Sequence, residues 1–180
     1  SAFLLLFTIL FYVFVYTIWL KRKTPQNIVI GGASGALPPV IGWAIATNSI
    51  SLESIAFFLI IFFWTPSHFW ALSVYKADDY KKAGIPMLPV TNGIQDTKKN
   101  ILIYSLLMIP TIVFPYYIGF VGEVFLTLSL LLTFYYNLIC YQLYNYKVGK
   151  FNIKKARHIF SYSIIYLFLI FVFFLVDKVL

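Results

Sequence analysis

The stretch YKADDYKKAGIPMLPV, Tyr75 to Val90, gathers the residues of this chain best suited to chemistry. Asp78 and Asp79 are adjacent hard-oxygen donors, the ligand type Mg²⁺ prefers, and Mg²⁺ commonly shares its shell with waters and substrate phosphates. Lys76, Lys81 and Lys82 beside them can neutralise the remaining negative charge of such a phosphate. If the preceding helix continues, Tyr75 and Asp79 stand four residues apart on one face with Lys76 close by, while Asp78 points about 100° away. Only one aspartate then faces a given site. A solvated turn, with weak surface pairs from Asp78 and Asp79 to Lys81 and Lys82, accounts for the same residues. Gly84, Pro86 and Pro89 favour the site, because they constrain a loop where a flexible connector would suffice.

The elements that must position this stretch are membrane helices. Of 180 residues, 61% are hydrophobic, 21% aromatic and only 11% charged, which is not the balance of a soluble domain. A hydrocarbon core of about 30 Å requires roughly 20 apolar residues per helix. Six segments meet that demand: Phe3–Leu20, Ile28–Ala46, Leu52–Val74, Ile101–Ile118, Val124–Asn145 and Ile159–Val176. The net charge of +8 lies in short clusters between these runs, not along one stripe, so it sets topology and does not point to nucleic acid. Lys21, Arg22 and Lys23 follow the first span; Lys76, Lys81, Lys82, Lys98 and Lys99 follow the third; Lys147, Lys150, Lys154, Lys155 and Arg157 follow the fifth. The other two connections hold no lysine or arginine. The positive-inside rule therefore makes the three basic connections cytoplasmic and puts the C-terminus on the opposite side. With no linker, repeat or soluble segment, residues 1–180 read as one all-α integral membrane domain. A single cysteine, Cys140, excludes an internal disulfide.

Other polar residues carry two readings each. His68, in TPSHFW, is either a histidine hydrogen-bonded between helices or a functional group: a haem-propionate contact, an axial ligand or a proton carrier. Trp64 and Trp70 suit packing or the lipid interface, and Pro66 is expected to kink the span and open space beside His68. In GGASGALPPVIGW, Gly31, Gly35 and Ala36 form a small-residue surface for close helix approach, and Pro38-Pro39 should bend or break the helix. KRKTPQN sets three cations and Asn27 where a diphosphate or lipid headgroups could bind. Lys154, Lys155, Arg157 and His158 read as anchors preceding the last span.

YTIWLKRKTPQNIVIGGASGALPPVIGWA, FFWTPSHFWALSVYKADDYKKAGIPMLPV and ARHIFSYSIIYL, in this order and spacing, resemble the protohaem IX farnesyltransferase (haem O synthase) family of UbiA-type intramembrane prenyltransferases. The resemblance covers essentially the whole chain. It implies a nine-helix bundle, of which the six spans match the last six, with the active site near the cytoplasmic face of a bacterial inner membrane. It implies transfer of a farnesyl group from farnesyl diphosphate to a vinyl group of haem b, giving haem O, with Mg²⁺ as cofactor. Residue by residue, YKADDY matches the second aspartate-rich motif, with Asp79 the first choice for a metal-facing carboxylate and Asp78 the alternative. Lys76 helps neutralise diphosphate, and Tyr75 or Tyr80 orients the ligands. Lys21, Arg22, Asn27 and Lys82 are implied as diphosphate contacts, and His68 with Trp70 as haem contacts. Haem b, farnesyl diphosphate and the bilayer are the implied partners, with a haem A synthase or cytochrome oxidase assembly factor as a protein partner.

Two departures from the family pattern matter. The second motif lacks the DxxxD spacing, and the first, N-x-x-x-D-x-x-x-D, is absent, so the chain is expected to be N-terminally incomplete and inactive alone. Another acceptor, a quinone or chlorophyll precursor, is the rival within the superfamily. A transport or assembly protein is the rival outside it, although transporters place ionisable groups near the midplane of several spans.

Overall fold

The computed structural model describes residues 1–146 and 150–179, apart from the side chains of residues 150–152. Lys147 and the Lys150 side chain thus lie outside the described residues. Among the described residues every regular element is helical, as a bilayer requires of a chain that must satisfy its backbone internally.

Helix α1 (Ala2–Leu10) continues as a π-helix, Phe11–Leu20, whose wider register appears in the bond from Lys21 N–H to Tyr16 O at 2.8 Å. The next span is broken as expected: α2 (Asn27–Ala36) ends before the proline pair, and α3 (Pro38–Thr47) begins on it, where missing N–H groups cost nothing. Asn48 ends α3 in the left-handed conformation, φ 56°. Helix α4 (Leu52–Tyr75) starts at Ser51, whose N–H bonds the Ser54 hydroxyl. Short helices α5 (Ala77–Lys82) and α6 (Leu88–Thr91) follow. Helices α7 (Gly93–Tyr117), α8 (Glu123–Asn145) and α9 (Lys150–Val179) complete the chain.

Among the described residues six helical segments are long and apolar enough to cross a membrane: Ala2–Leu20, Asn27–Thr47, Leu52–Tyr75, Gly93–Tyr117, Glu123–Asn145 and Ile153–Val179. The fourth begins at Gly93, not at Ile101, because the polar residues Gln95 to Asn100 form its first turns. Helix α4 is central: it packs against α2, α3, α7 and α9, and α8 closes on α7 and α9. Proline 66 does not interrupt it.

Small residues bring helices together, Gly31 and the buried Ala36 as expected but Gly32 in place of Gly35. A Cβ on Gly31 would lie 2.2 Å from the Tyr16 ring, and one on Gly32 would lie 3.0 Å from Thr65, whereas Gly35 faces open space. Polar pairs then tie the core across helices. Ser67 and Tyr136 share a hydrogen bond of 2.8 Å, Thr133 and Tyr166 one of 2.9 Å, and Ser105 donates to Asn137 Oδ1 at 3.0 Å.

Both ends of α8 are held by charges from other helices. Asp177 of α9 accepts from the Gly122 N–H at 2.7 Å and the Phe125 N–H at 3.1 Å. Lys98 of α7, fully buried, donates to Tyr146 O at the C-terminal end and to Gln95 Oε1. An anion at the N-terminus and a cation at the C-terminus both complement the helix dipole.

Candidate functional site at the end of α4

The chain leaves α4 at Lys76, whose N–H still bonds Leu72 O while its own carbonyl accepts from Tyr80 N–H. That junction re-aims α5 without a long linker. In the first turn of α5, the Asp79 carboxylate accepts from Lys76 Nζ at 2.9 Å. This hydrogen bond holds the Asp79 carboxyl below the ordinary carboxylate range and raises the Lys76 ammonium. The pair is exposed to solvent, so its contribution to folding is small.

Asp79 lines a pocket of about 380 Å³ with Leu72, Lys76, Tyr80, Ala83 and Ile85. Asp78 is exposed and outside that lining, as the helical offset between the two predicts. The Tyr80 hydroxyl is half-buried, and burial raises its pKa. Lys82 is exposed, with its charge acting on Asp79. Below the pocket the loop is constrained: Gly84 takes φ 65°, which favours glycine, and Ile85 N–H bonds Tyr80 O at 3.0 Å. Met87 and Leu88 are buried, anchoring the loop through α6 to α4 and α7. Among the described residues no group of three or more His, Cys, Asp or Glu could hold a metal ion.

The π-helix approaches from the side, close enough for the Tyr16 and Tyr80 hydroxyls to interact electrostatically. Lys21 and Arg22 follow it, and their side chains make no hydrogen bond or ion pair among the described residues. Asn27 is buried, and its Nδ2 donates to Thr24 O at 2.7 Å and Lys21 O at 3.5 Å. That amide shapes the turn that carries the two cations.

His68 and Trp70 are not brought together. His68 faces α9: its Nδ1 lies 2.6 Å from Ser163 Oγ, and its ring stacks between Trp64 at 4.3 Å and Phe160 at 4.6 Å. Because the Ser163 hydroxyl donates to Phe160 O at 2.6 Å, the shared proton is assigned to Nδ1, leaving the lone pair on Nε2. With Trp64, Ile164, Leu167, Phe168 and Phe171, His68 also lines an apolar groove of about 360 Å³. Trp70 faces α7 instead, fully buried and edge-on to Tyr104. A residue with no exposed surface has none to offer haem, so Trp70 is a packing residue, two positions around the helix from His68.

Arg157, expected to anchor the last span, reaches this end of α4 from α9. Its guanidinium carbon lies 5.3 Å above the Tyr75 ring centroid, and its charge acts on Lys76. Helical periodicity carries the signal, since Arg157 and Phe160 share one face of α9 and Phe160 also meets Tyr75, at 6.0 Å.

The described residues thus form a membrane helix bundle with a carboxylate and cations at one end. The chain belongs to the UbiA prenyltransferase family, whose model matches residues 1–165. It is 76% identical over 180 residues to the protoheme IX farnesyltransferase of Pelagibacter ubique (strain HTCC1062), covering 100% of this chain and 59% of that protein. The protein of the same name from Parvibaculum lavamentivorans is 49% identical over 180 residues, with 57% of its length covered. That from Azorhizobium caulinodans is 52% identical over 168 residues, which is 93% of this chain and 55% of that protein. The chain thus spans less than two-thirds of the length of these relatives. No solved structure matches it.

Proposed function

We propose that the protein transfers a farnesyl group from farnesyl diphosphate to a vinyl group of haem b, forming haem O and releasing diphosphate. The observation that carries this is the exposed Lys76–Asp79 pair on the wall of the pocket at the end of α4, in a chain similar along its whole length to proteins named protoheme IX farnesyltransferase.

The oxygen donors present suit Mg²⁺ in a limited way. Asp79, with Asp78 beside it, offers exposed hard-oxygen ligands, and phosphate and water complete such shells. When bound there, the ion would offset charge on the diphosphate. Lys76, Lys82, Lys21 and Arg22 supply further positive charge for the leaving group, which lowers the cost of breaking the allylic C–O bond. Tyr75 and Tyr80 orient the charged groups. The electron-rich vinyl carbon takes the farnesyl cation, and water adds to the adjacent carbon and loses a proton to the released diphosphate or solvent, leaving a hydroxyethylfarnesyl chain. Apolar helix faces keep water from intercepting the cation earlier. The groove at His68 is the haem contact in this scheme, with Nε2 free to accept a proton or hydrogen bond.

The membrane is the bacterial inner membrane, with the Asp79 end cytoplasmic, as the basic connections support. A haem A synthase or an oxidase assembly factor would receive the product. The test is to supply the intact protein in membranes with haem b, farnesyl diphosphate and Mg²⁺ and to analyse extracted haem by mass spectrometry. Haem O is the expected product, lost on chelation. A prenylated quinone with unchanged haem would overturn the choice of acceptor.

A further inference from the structure

Four basic or titratable residues, Lys154, Lys155, Arg157 and His158, crowd one turn of α9, and the fold sends them in two directions. Lys154, Lys155 and His158 line a groove between α8 and α9, with Lys155 donating to Gln142 Oε1 at 3.3 Å and His158 Nε2 at 3.4 Å from the Tyr135 hydroxyl. Arg157 turns the other way, toward α4, where it lies over the Tyr75 ring. A guanidinium held over a ring keeps the N–H donors directed away from that ring available, since the ring occupies only one side of it. Phe160, on the same face of α9, stands edge-on to Tyr75 and fixes the position of the ring beneath.

Arg157 has no carboxylate. The chain has only 6 acidic residues; the one at this end that forms an ion pair, Asp79, is taken by Lys76, and Arg157 makes no hydrogen bond or ion pair among the described residues. Its charge nevertheless acts on Lys76. Two cations close enough to repel, with Asp79 paired to Lys76 alone, leave a surplus of positive charge that a multivalent anion would relieve.

We infer that Arg157 is a diphosphate-binding residue, reaching from α9 over Tyr75 toward the Lys76–Asp79 end with a planar, two-pronged donor. This rests on the farnesyl diphosphate reading above and extends it to α9, where Arg157 lies 82 positions after Tyr75 in the chain. Guanidinium suits the role better than ammonium, because paired N–H groups match two phosphate oxygens.

The experiment compares Arg157→Gln, Arg157→Lys and Lys154→Gln in the intact protein, measuring Mg²⁺-dependent binding of inorganic diphosphate alongside KM values for farnesyl diphosphate and haem. Arg157→Gln should weaken diphosphate binding and raise the farnesyl diphosphate KM by about tenfold or more, with the haem KM unchanged. Lys154→Gln, which removes the same charge from the opposite face, should stay within about twofold. Arg157→Lys should fall between them, and it decides the matter if Arg157→Gln does not fold. Equal effects of Arg157→Gln and Lys154→Gln, or unaltered diphosphate binding in Arg157→Lys and Arg157→Gln, would overturn the inference. Wild-type protein that binds diphosphate but makes no haem O would instead remove the proposed acceptor and leave Arg157 in place.

Discussion

Where α7 turns into α8, the charges of α9 are committed to backbone: Asp177 accepts from Gly122 and Phe125, and Lys178 donates to Phe120 O while standing 4.8 Å over the Phe120 ring. Where α4 gives way to α5, the charges meet each other or nothing: Lys76 pairs with Asp79 in solvent, and Lys82, Lys21, Arg22 and Arg157 hold no side-chain anion. Both ends are polar, yet only one is closed. A charge that satisfies a helix terminus is part of the scaffold, whereas one left beside a pocket is available to a ligand.

Substitutions at the two ends should therefore fail differently. The largest effect is expected from Asp79→Asn, which should lower haem O formation by about a hundredfold or more while leaving the thermal midpoint unchanged. A matching drop in the midpoint would make Asp79 a scaffold residue. Its pH dependence sharpens the point. Lys76 lowers the Asp79 pKa, so the carboxylate stays charged well below neutral pH and any stabilisation by the pair is lost only as pH falls through that depressed value. Lys76→Met should move the acid limb of the activity profile to higher pH.

Lys98→Met comes next. Removing a buried donor from the C-terminal end of α8 should cost about 1–3 kcal/mol in denaturant titration, with substrate KM values unmoved in the folded fraction. Asp177→Ala should cost about 1 kcal/mol, as loss of a helix N-cap does, and Asp177→Asn, which keeps an acceptor oxygen, should recover part of it. The smallest effect is the coupling between Ser67→Ala and Tyr136→Phe, about 0.6 kcal/mol in a double-mutant cycle. A coupling of zero would mean that the buried hydroxyls find other partners.

Much of this architecture was legible before any coordinates. Six spans follow from apolar run length alone, and the break at Pro38-Pro39 follows from a residue with no N–H. The different placing of Asp79 and Asp78 follows from one turn of helix, but the partner does not: Asp79 pairs with Lys76, not with Lys81 or Lys82. What composition could not separate was the destination of each lysine and arginine. Lys98, Lys154 and Arg157 all read as anchors at a helix end, but one caps α8, one lines an outer groove and one lies over Tyr75. Those differences depend on partners such as Tyr146, 48 positions from Lys98, and a run of sequence does not say which helix will be the neighbour. Trp70 misled for a similar reason: adjacency to His68 along the chain places it on a different face. Gly31 and Gly32, not Gly35, meet neighbours because the contact face is set by where Tyr16 and Thr65 stand.

The clasp on α8 gives the protein an order of assembly. Asp177, which holds the first turn of α8, belongs to a helix synthesised after α8 itself, so α8 enters the membrane with those N–H groups unclaimed. Only when α9 has crossed does its far end reach the α7–α8 turn and lock it. The same helix carries Arg157 toward α4 at its other end, so the event that locks this turn also brings Arg157 over Tyr75.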